Sequence, residues 1–316
     1  AGFCVELSNK ISSFSRRKLM ATVEENDSFW ILRLGSSSVE IHKKGAHVTS
    51  WKDSNSVQQL YLSPKTSYEP NTAIRGGIPI VFPQFADSGK LPKHGFLRSS
   101  SEWEKLEHST DEQSVSITFS HKETQETKSL WADNHFEFIY QVRLFDHGNK
   151  LQCHVTIKNT NPSNGNELSA QVCLHTYFAV CCSTQIEVIG LTDSSYIDKI
   201  QGGCEEIEKR EAAVVRQEVD RIYKNVSGPI TLRDNSRKQT LVVDKNNMED
   251  IVFWNPWIDK ARGMKDLPDD DYKSFVCIET GQIVNPFIIQ PQSSVEVEQT
   301  LTSFSSETGN VPNKLQ

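Results

Sequence analysis

With 316 residues, 36% hydrophobic content and a formal net charge of −7, the chain can hold one large domain or two ordinary ones around a substantial core. The acidic balance argues against a nucleic-acid binder, which carries a broad basic face. No run of about 18 apolar residues occurs, so no membrane-spanning helix is expected.

The N-terminal stretch stands apart. Residues 8–20 contain Lys10, Arg16, Arg17 and Lys18, several serines and no acid. Two readings are open: the remnant of a transit peptide, or leader or expression-derived sequence, since Met20 would serve as a start. Residues 1–27 are expected to be flexible, 28–304 to form one domain, and 305–316 to be a flexible tail. The expected location is the cytoplasm, or a plastid or other organelle if the transit-peptide reading holds.

From residue 29 onward the dominant signal has period two. Phe136, Phe138, Tyr140, Val142 and Leu144 alternate with mostly polar neighbours. Asp146-His147-Gly148-Asn149 supplies turn chemistry, and Leu151, Cys153, Val155 and Ile157 alternate again. That pattern predicts a β-hairpin with one buried face. Shorter strands are predicted at 29–34, 39–42, 47–51, 115–120, 168–175, 185–189, 230–233, 239–244, 251–254, 275–279, 286–290 and 295–301. The only helix candidates are short, at 126–133 and 269–274. Many strands separated by turns, without alternating helices, point to an all-β antiparallel sandwich or barrel-like architecture. No repeat of solenoid or propeller length and no linker divides it.

Several common sites are absent. There is no Gly-x-x-x-x-Gly-Lys-Ser/Thr loop, no Gly-x-Gly-x-x-Gly fingerprint, no His-Glu-x-x-His pair and no Gly-x-Ser-x-Gly elbow. No nucleotide cofactor or metal is expected. The seven cysteines form no Cys-x-x-Cys pair, and Cys181 and Cys182 are adjacent. Such usage fits buried thiols in a reducing compartment.

Three features carry chemistry. Residues 70–101 place Arg75, Lys90, Lys93 and Arg98 against one acid, Asp87, in a Gly- and Pro-rich stretch of an acidic protein. Arginine forks suit phosphate oxygens, although charged loops are often merely solvated. His175 closes an apolar, strand-like run beside Tyr177 and Phe178; alone, such a histidine is more often a core or rim residue. Glu279 ends the buried-looking run Phe275-Val276-Cys277-Ile278 before Gly281. A carboxylate there is rarely buried unless paired or used. Asp220 is a weaker case, because Asp220-Arg221 reads equally as a surface pair.

In order along the chain stand Ile74-Arg75-Gly76-Gly77-Ile78-Pro79, Phe82-Pro83-Gln84-Phe85, His94-Gly95-Phe96-Leu97-Arg98, His175-Thr176-Tyr177-Phe178, Asp220-Arg221-Ile222-Tyr223 and Cys277-Ile278-Glu279-Thr280-Gly281. Together these motifs resemble the hexose-6-phosphate mutarotases (glucose-6-phosphate 1-epimerases) of the aldose 1-epimerase, galactose mutarotase-like superfamily. The resemblance spans roughly residues 28–302. It implies a large antiparallel supersandwich, an open sugar cleft, no cofactor, and an isomerase acting on the anomers of a hexose 6-phosphate. By the same resemblance His175 and Glu279 match the catalytic histidine and glutamate, Arg75 and Arg98 the phosphate-binding arginines, and Asp220 an acid that holds sugar hydroxyls. Lys93, just before His94, falls where the family contacts substrate, often through an uncharged amide; the lysine is a departure. Leu97 and Thr280 stand where smaller or different residues are common.

The residue types suit that chemistry. Anomer exchange removes a proton from the C1 hydroxyl, protonates the ring oxygen, and recloses the aldehyde on its other face. One base and one acid suffice: Glu279 as base and a charged His175 as acid, favoured by the neighbouring carboxylate. His94 would assist as a neutral donor to the sugar. The rivals are a glycoside hydrolase using Asp220 and Glu279 as paired carboxylates, and a non-catalytic sugar-phosphate-binding protein. The expected partner is a small sugar phosphate, and the expected state a monomer.

Overall fold

Period-two patterning becomes sheet along most of the chain. In the strand Phe136–Phe145 the alternate residues Phe136, Phe138, Tyr140, Val142 and Leu144 are buried, and in Lys150–Asn159 so are Leu151, Cys153, Val155 and Ile157. The two pair antiparallel, with Phe145 opposite Lys150, across a turn in which Asp146 and His147 both take positive φ. The computed structural model describes residues 20–305 except Asn71.

Three antiparallel sheets result. A four-stranded sheet runs in sequence order from Ala21–Glu25 to His47–Lys52. A nine-stranded sheet carries the hairpin, with Ser294–Ser305 lying between Lys150–Asn159 and Gln239–Asn246. An eight-stranded sheet is ordered Cys204–Ile207, Ser195–Asp198, Val219–Tyr223, Asp250–Asn255, Phe275–Ile289, Leu168–Leu174, Ile80–Val81, with Tyr177–Ala179 also paired to Phe275–Ile289. This is the large antiparallel sandwich that the patterning and the motifs predict. Among the described residues no helix is long and apolar enough to cross a membrane.

The eight-stranded sheet positions the chemistry, because its two faces do different work. Val276, Ile278, Val172, Leu174, Ile251 and Phe253 enter the main core, which they share with the buried residues of the hairpin. Phe275, Cys277, Cys173, Val252, Trp254 and Ile222 form a second cluster on the opposite face. Successive side chains of a strand point to opposite faces, so Glu279 follows Phe275 and Cys277, and Asp220 shares the face of Ile222. Val252 stands opposite Glu279 and Trp254 opposite both Asp220 and Cys277, which sets the register of the site.

Several boundaries differ from the sequence expectations. Strand Ala21–Glu25 pairs with Phe29–Leu34 through a turn in which Asn26 Oδ1 accepts from the backbone N–H of Phe29. The ordered sheet therefore begins inside the segment expected to be flexible; residues 1–19 and 306–316 lie outside the described residues. The strands predicted at 275–279 and 286–290 are one strand, Phe275–Ile289, whose partner shifts register between Ala170 and Val172. The helix predicted at 126–133 is Gln125–Leu130, capped by the Thr124 hydroxyl, and the one at 269–274 is a single 3-10 turn, Asp271–Lys273. Helix Trp257–Arg262 is unforeseen.

The basic stretch is fixed by its glycines. Gly77 has φ +63°, and a Cβ there would meet the Val48 carbonyl oxygen and lie 2.8 Å from His47 Nε2. His47 is fully buried, and burial pushes it down to about 3, so it stays neutral and its Nε2–H bonds the Gly76 carbonyl at 2.7 Å. Arg75 is thus held from beneath. Gly77→Ala should destabilise by at least about 1–3 kcal/mol, the usual cost of a strained backbone at a side-chain-bearing residue, read as a lower urea midpoint. An unchanged midpoint would mean that this backbone yields freely.

Candidate active site

The strand Leu168–Leu174 ends immediately before His175, whose backbone N–H donates to the Pro79 carbonyl at 3.0 Å. Glu279 lies in the neighbouring strand, and Leu174 pairs with Thr280. The side chains of His175 and Glu279 consequently converge, with Nδ1 and Oε1 3.2 Å apart. The contact is close but not aligned as a hydrogen bond, which leaves Nδ1 without a partner. Glu279 is 1% exposed and His175 8%. The second carboxyl oxygen of Glu279 accepts from the Cys173 thiol at 3.4 Å. The imidazole of His175 stacks parallel on Tyr177 and meets Trp254 edge-on.

His94 stands 5.6 Å from His175, ring centroid to ring centroid. Its Nδ1 accepts from the backbone N–H of Ala86 at 3.3 Å, which places the proton on Nε2. Burial, followed by Arg98, Lys93, Lys199 and Arg75, pushes His94 down to about 2. It is therefore neutral, with its N–H on Nε2.

Above this floor lie the two arginines. Arg75 donates through Nε to Asp266 Oδ2 at 3.0 Å, with Nη2 at the same distance, and through Nη1 to Tyr177 Oη at 2.9 Å. Burial opposes its charge, but Tyr177 and Asp266 more than restore it. Arg98 Nη2 donates to the Lys93 carbonyl at 2.7 Å; burial and Arg75 work against its charge. The Lys93 ammonium itself is largely exposed and faces Asp87 at 3.7 Å. The contact of Lys93 with this group of residues is therefore through its backbone oxygen. Asp220 Oδ2 sits 3.4 Å from Lys199 Nζ and 3.9 Å from Lys260 Nζ.

Electrostatics reverses one expectation. Burial first, then His94, Arg75 and Arg98, drives His175 well below 6.5. Burial and the charge of Asp220 drive Glu279 well above 4.5, against smaller opposing effects of Cys173 and Lys199. A charged His175 beside an ionised Glu279 was the expectation. In the ligand-free protein both lean to their neutral forms, because desolvating two ions costs more than their attraction returns.

Sequence reasoning missed Tyr177, Asp266, Lys199 and Cys173 as parts of this site. Tyr177 lies within a motif already singled out, and Cys173 is two residues before His175 on the same face. Asp266 sits in an acid-rich loop, 265–271, where nothing distinguishes it from its neighbours. His175, Cys277 and Glu279 also bring nitrogen, sulfur and oxygen donors within 4.8 Å of one another, a set with zinc-like ligand chemistry. Two of the three are the residues expected from the sequence to act as acid and base, so an ion there would compete with proton transfer.

The large antiparallel sandwich is the fold of solved mutarotase structures. The chain belongs to the aldose 1-epimerase family, whose model matches residues 30–302. It is 34% identical to a protein of Cenchrus ciliaris provisionally named glucose-6-phosphate 1-epimerase, over 80% of this chain and 77% of that one. A relative from Escherichia coli K12 with the same provisional name is 32% identical, over 75% and 77%. Among solved structures, the provisionally named mutarotase YeaD of Salmonella typhimurium superposes with a TM-score of 0.80 at 26% identity, covering 90% of this chain and 94% of that one. Slr1438 of Synechocystis, at 19% identity and a TM-score of 0.71 over 93% and 98% of the two chains, shares the fold.

Proposed function

We propose that this protein interconverts the α and β anomers of a hexose 6-phosphate, with glucose 6-phosphate as the leading substrate. One observation carries the reading: the buried side chains of His175 and Glu279 face each other at 3.2 Å, near enough to Arg75 and Arg98 for both to act on the imidazole. With substrate bound, Glu279 in its ionised form takes the proton from the C1 hydroxyl while His175 in its charged form delivers one to the ring oxygen. The freed aldehyde turns about C1–C2 and recloses on its other face as the two transfers reverse. His94, neutral and protonated on Nε2, donates to the sugar. Asp220, held between Lys199 and Lys260, accepts from its hydroxyls. Arg75 and Arg98 take the 6-phosphate. The names of the relatives support this choice of substrate.

Exchange NMR between the anomers of glucose 6-phosphate, with and without protein, is the direct test. Exchange no faster than in buffer would remove the reading. Cleavage of aryl glycosides, lost equally in Glu279→Gln and Asp220→Asn, would put a hydrolase in its place.

The phosphate assignment has its own test. Arg98 makes the cleaner probe, because Arg75 also braces Asp266 and Tyr177. Arg98→Ala should lower kcat/KM for glucose 6-phosphate roughly ten- to a hundredfold, the loss of a charge-assisted hydrogen bond. Free glucose should lose far less. Equal losses would make Arg98 a support for the loop.

A further inference from the structure

Tyr177 is neither the acid nor the base, yet it touches both ends of the cleft. Its ring lies parallel to the His175 imidazole, with centroids 4.8 Å apart and planes inclined by 7°. Its hydroxyl accepts from Arg75 Nη1 at 2.9 Å. The ring is 2% exposed and is held by Phe275 at 5.3 Å and by Trp254 at 6.0 Å. Its backbone pairs with Cys277, two residues before Glu279.

The two contacts make different demands. A phenylalanine would fill the same volume and stack as well; only the bond to Arg75 requires the hydroxyl. On the other side, the parallel stack on Tyr177 is the contact that faces the plane of the His175 ring. Its Nδ1 lacks an aligned partner, and Trp254 and His94 meet it edge-on. Arg75 is pinned twice more, through Nε and Nη2, to Asp266 Oδ2. A guanidinium has five N–H donors, so after these contacts Arg75 still has donors free for a phosphate oxygen. Asp266, Arg75, Tyr177 and His175 form a continuous stiff chain of contacts from rim to floor.

Resting on the function proposed above, we infer that Tyr177 is a positioning residue that conveys phosphate binding at Arg75 to the orientation of His175. The 6-phosphate then contributes to turnover as well as to affinity. Binding energy from a non-reacting part of a substrate accelerates a reaction only when it is used at the reacting centre. An imidazole fixed at the right angle for the ring oxygen is such a use.

Tyr177→Phe separates the two contacts, since it keeps the stack and removes the bond. For glucose 6-phosphate, kcat should fall about tenfold, as expected for one lost hydrogen bond to a charged group, while KM changes little. Free glucose, which leaves Arg75 unengaged, should be affected much less. A second measurement uses a substrate in two pieces. Inorganic phosphite, corrected for its own catalysis without protein, should accelerate anomer exchange of free glucose by the parent and fail to do so in Tyr177→Phe. A raised KM at unchanged kcat would make the hydroxyl a mere brace for the phosphate site and overturn the inference. Equal loss with both sugars, or phosphite acceleration kept by the variant, would overturn it too. If the parent exchanges glucose 6-phosphate and Tyr177→Phe matches it, the inference alone fails. A parent with no exchange overturns the proposed function and this inference together.

Discussion

Glu279→Gln should lose about 10²–10⁴-fold in anomer exchange, the usual contribution of a general acid–base partner, while still binding glucose 6-phosphate. The amide keeps the shape of the carboxyl group and an acceptor for the Cys173 thiol, which lies 3.4 Å from Oε2. It cannot take up the C1 proton. Arg75 and Arg98 are untouched, so titration calorimetry should give a dissociation constant within a fewfold of the parent's. Parent-like exchange in the variant would remove Glu279 from the mechanism.

The same substitution reads the electrostatic cost of the site. The folded-state pKa of Glu279 is raised, chiefly by burial. A group with a raised folded pKa gives its full stability contribution below its unfolded value, near 4.5, and loses it as pH rises toward the folded value. Glutamine has no such titration. The melting temperature of Glu279→Gln relative to the parent should therefore climb as pH increases from about 4.5. A difference that stays flat with pH would mean that Glu279 is not desolvated in solution.

Much of this molecule is legible in its sequence because sheet burial is a local pattern. The alternation through Phe136–Phe145 and Lys150–Asn159 is written in residues two apart, and so are the opposite faces of Phe275 and Val276. The fixed shape of the basic stretch is legible for a different reason: Gly76, Gly77 and Gly95 mark backbone that approaches other backbone too closely for a side chain, and they flank the basic residues. What stayed hidden depends on register between distant segments. Asp266 reaches Arg75 across 191 positions, and no pattern near either residue announces the contact. The charge state was hidden for the same reason. An adjacent carboxylate suggested a cationic His175, but the depth of burial, and the direction in which Arg75 and Arg98 face, exist only in the folded chain.

That depth governs the last expected result. His175→Asn should also lose about 10²–10⁴-fold in exchange, but the phosphate should have a stake in the loss. In the ligand-free protein His175 is depressed by burial, by His94 and by the two arginines. If Arg75 and Arg98 hold the 6-phosphate as proposed, its negative charge offsets their push on the imidazole. Desolvation remains, yet the balance shifts toward the arrangement in which the carboxylate is the base and the imidazolium the acid. Free glucose brings no such charge. The parent should therefore turn over glucose 6-phosphate faster than glucose at saturation, and His175→Asn, with no proton to move, should bring both sugars to similar low rates. The imidazole proton is also open to direct observation: the ¹⁵N resonances of His175 should shift toward the imidazolium position when glucose 6-phosphate binds to Glu279→Gln, where the proton must come from solvent. A rate advantage for the phosphorylated sugar that survives in His175→Asn would place the effect of the phosphate elsewhere than on the acid.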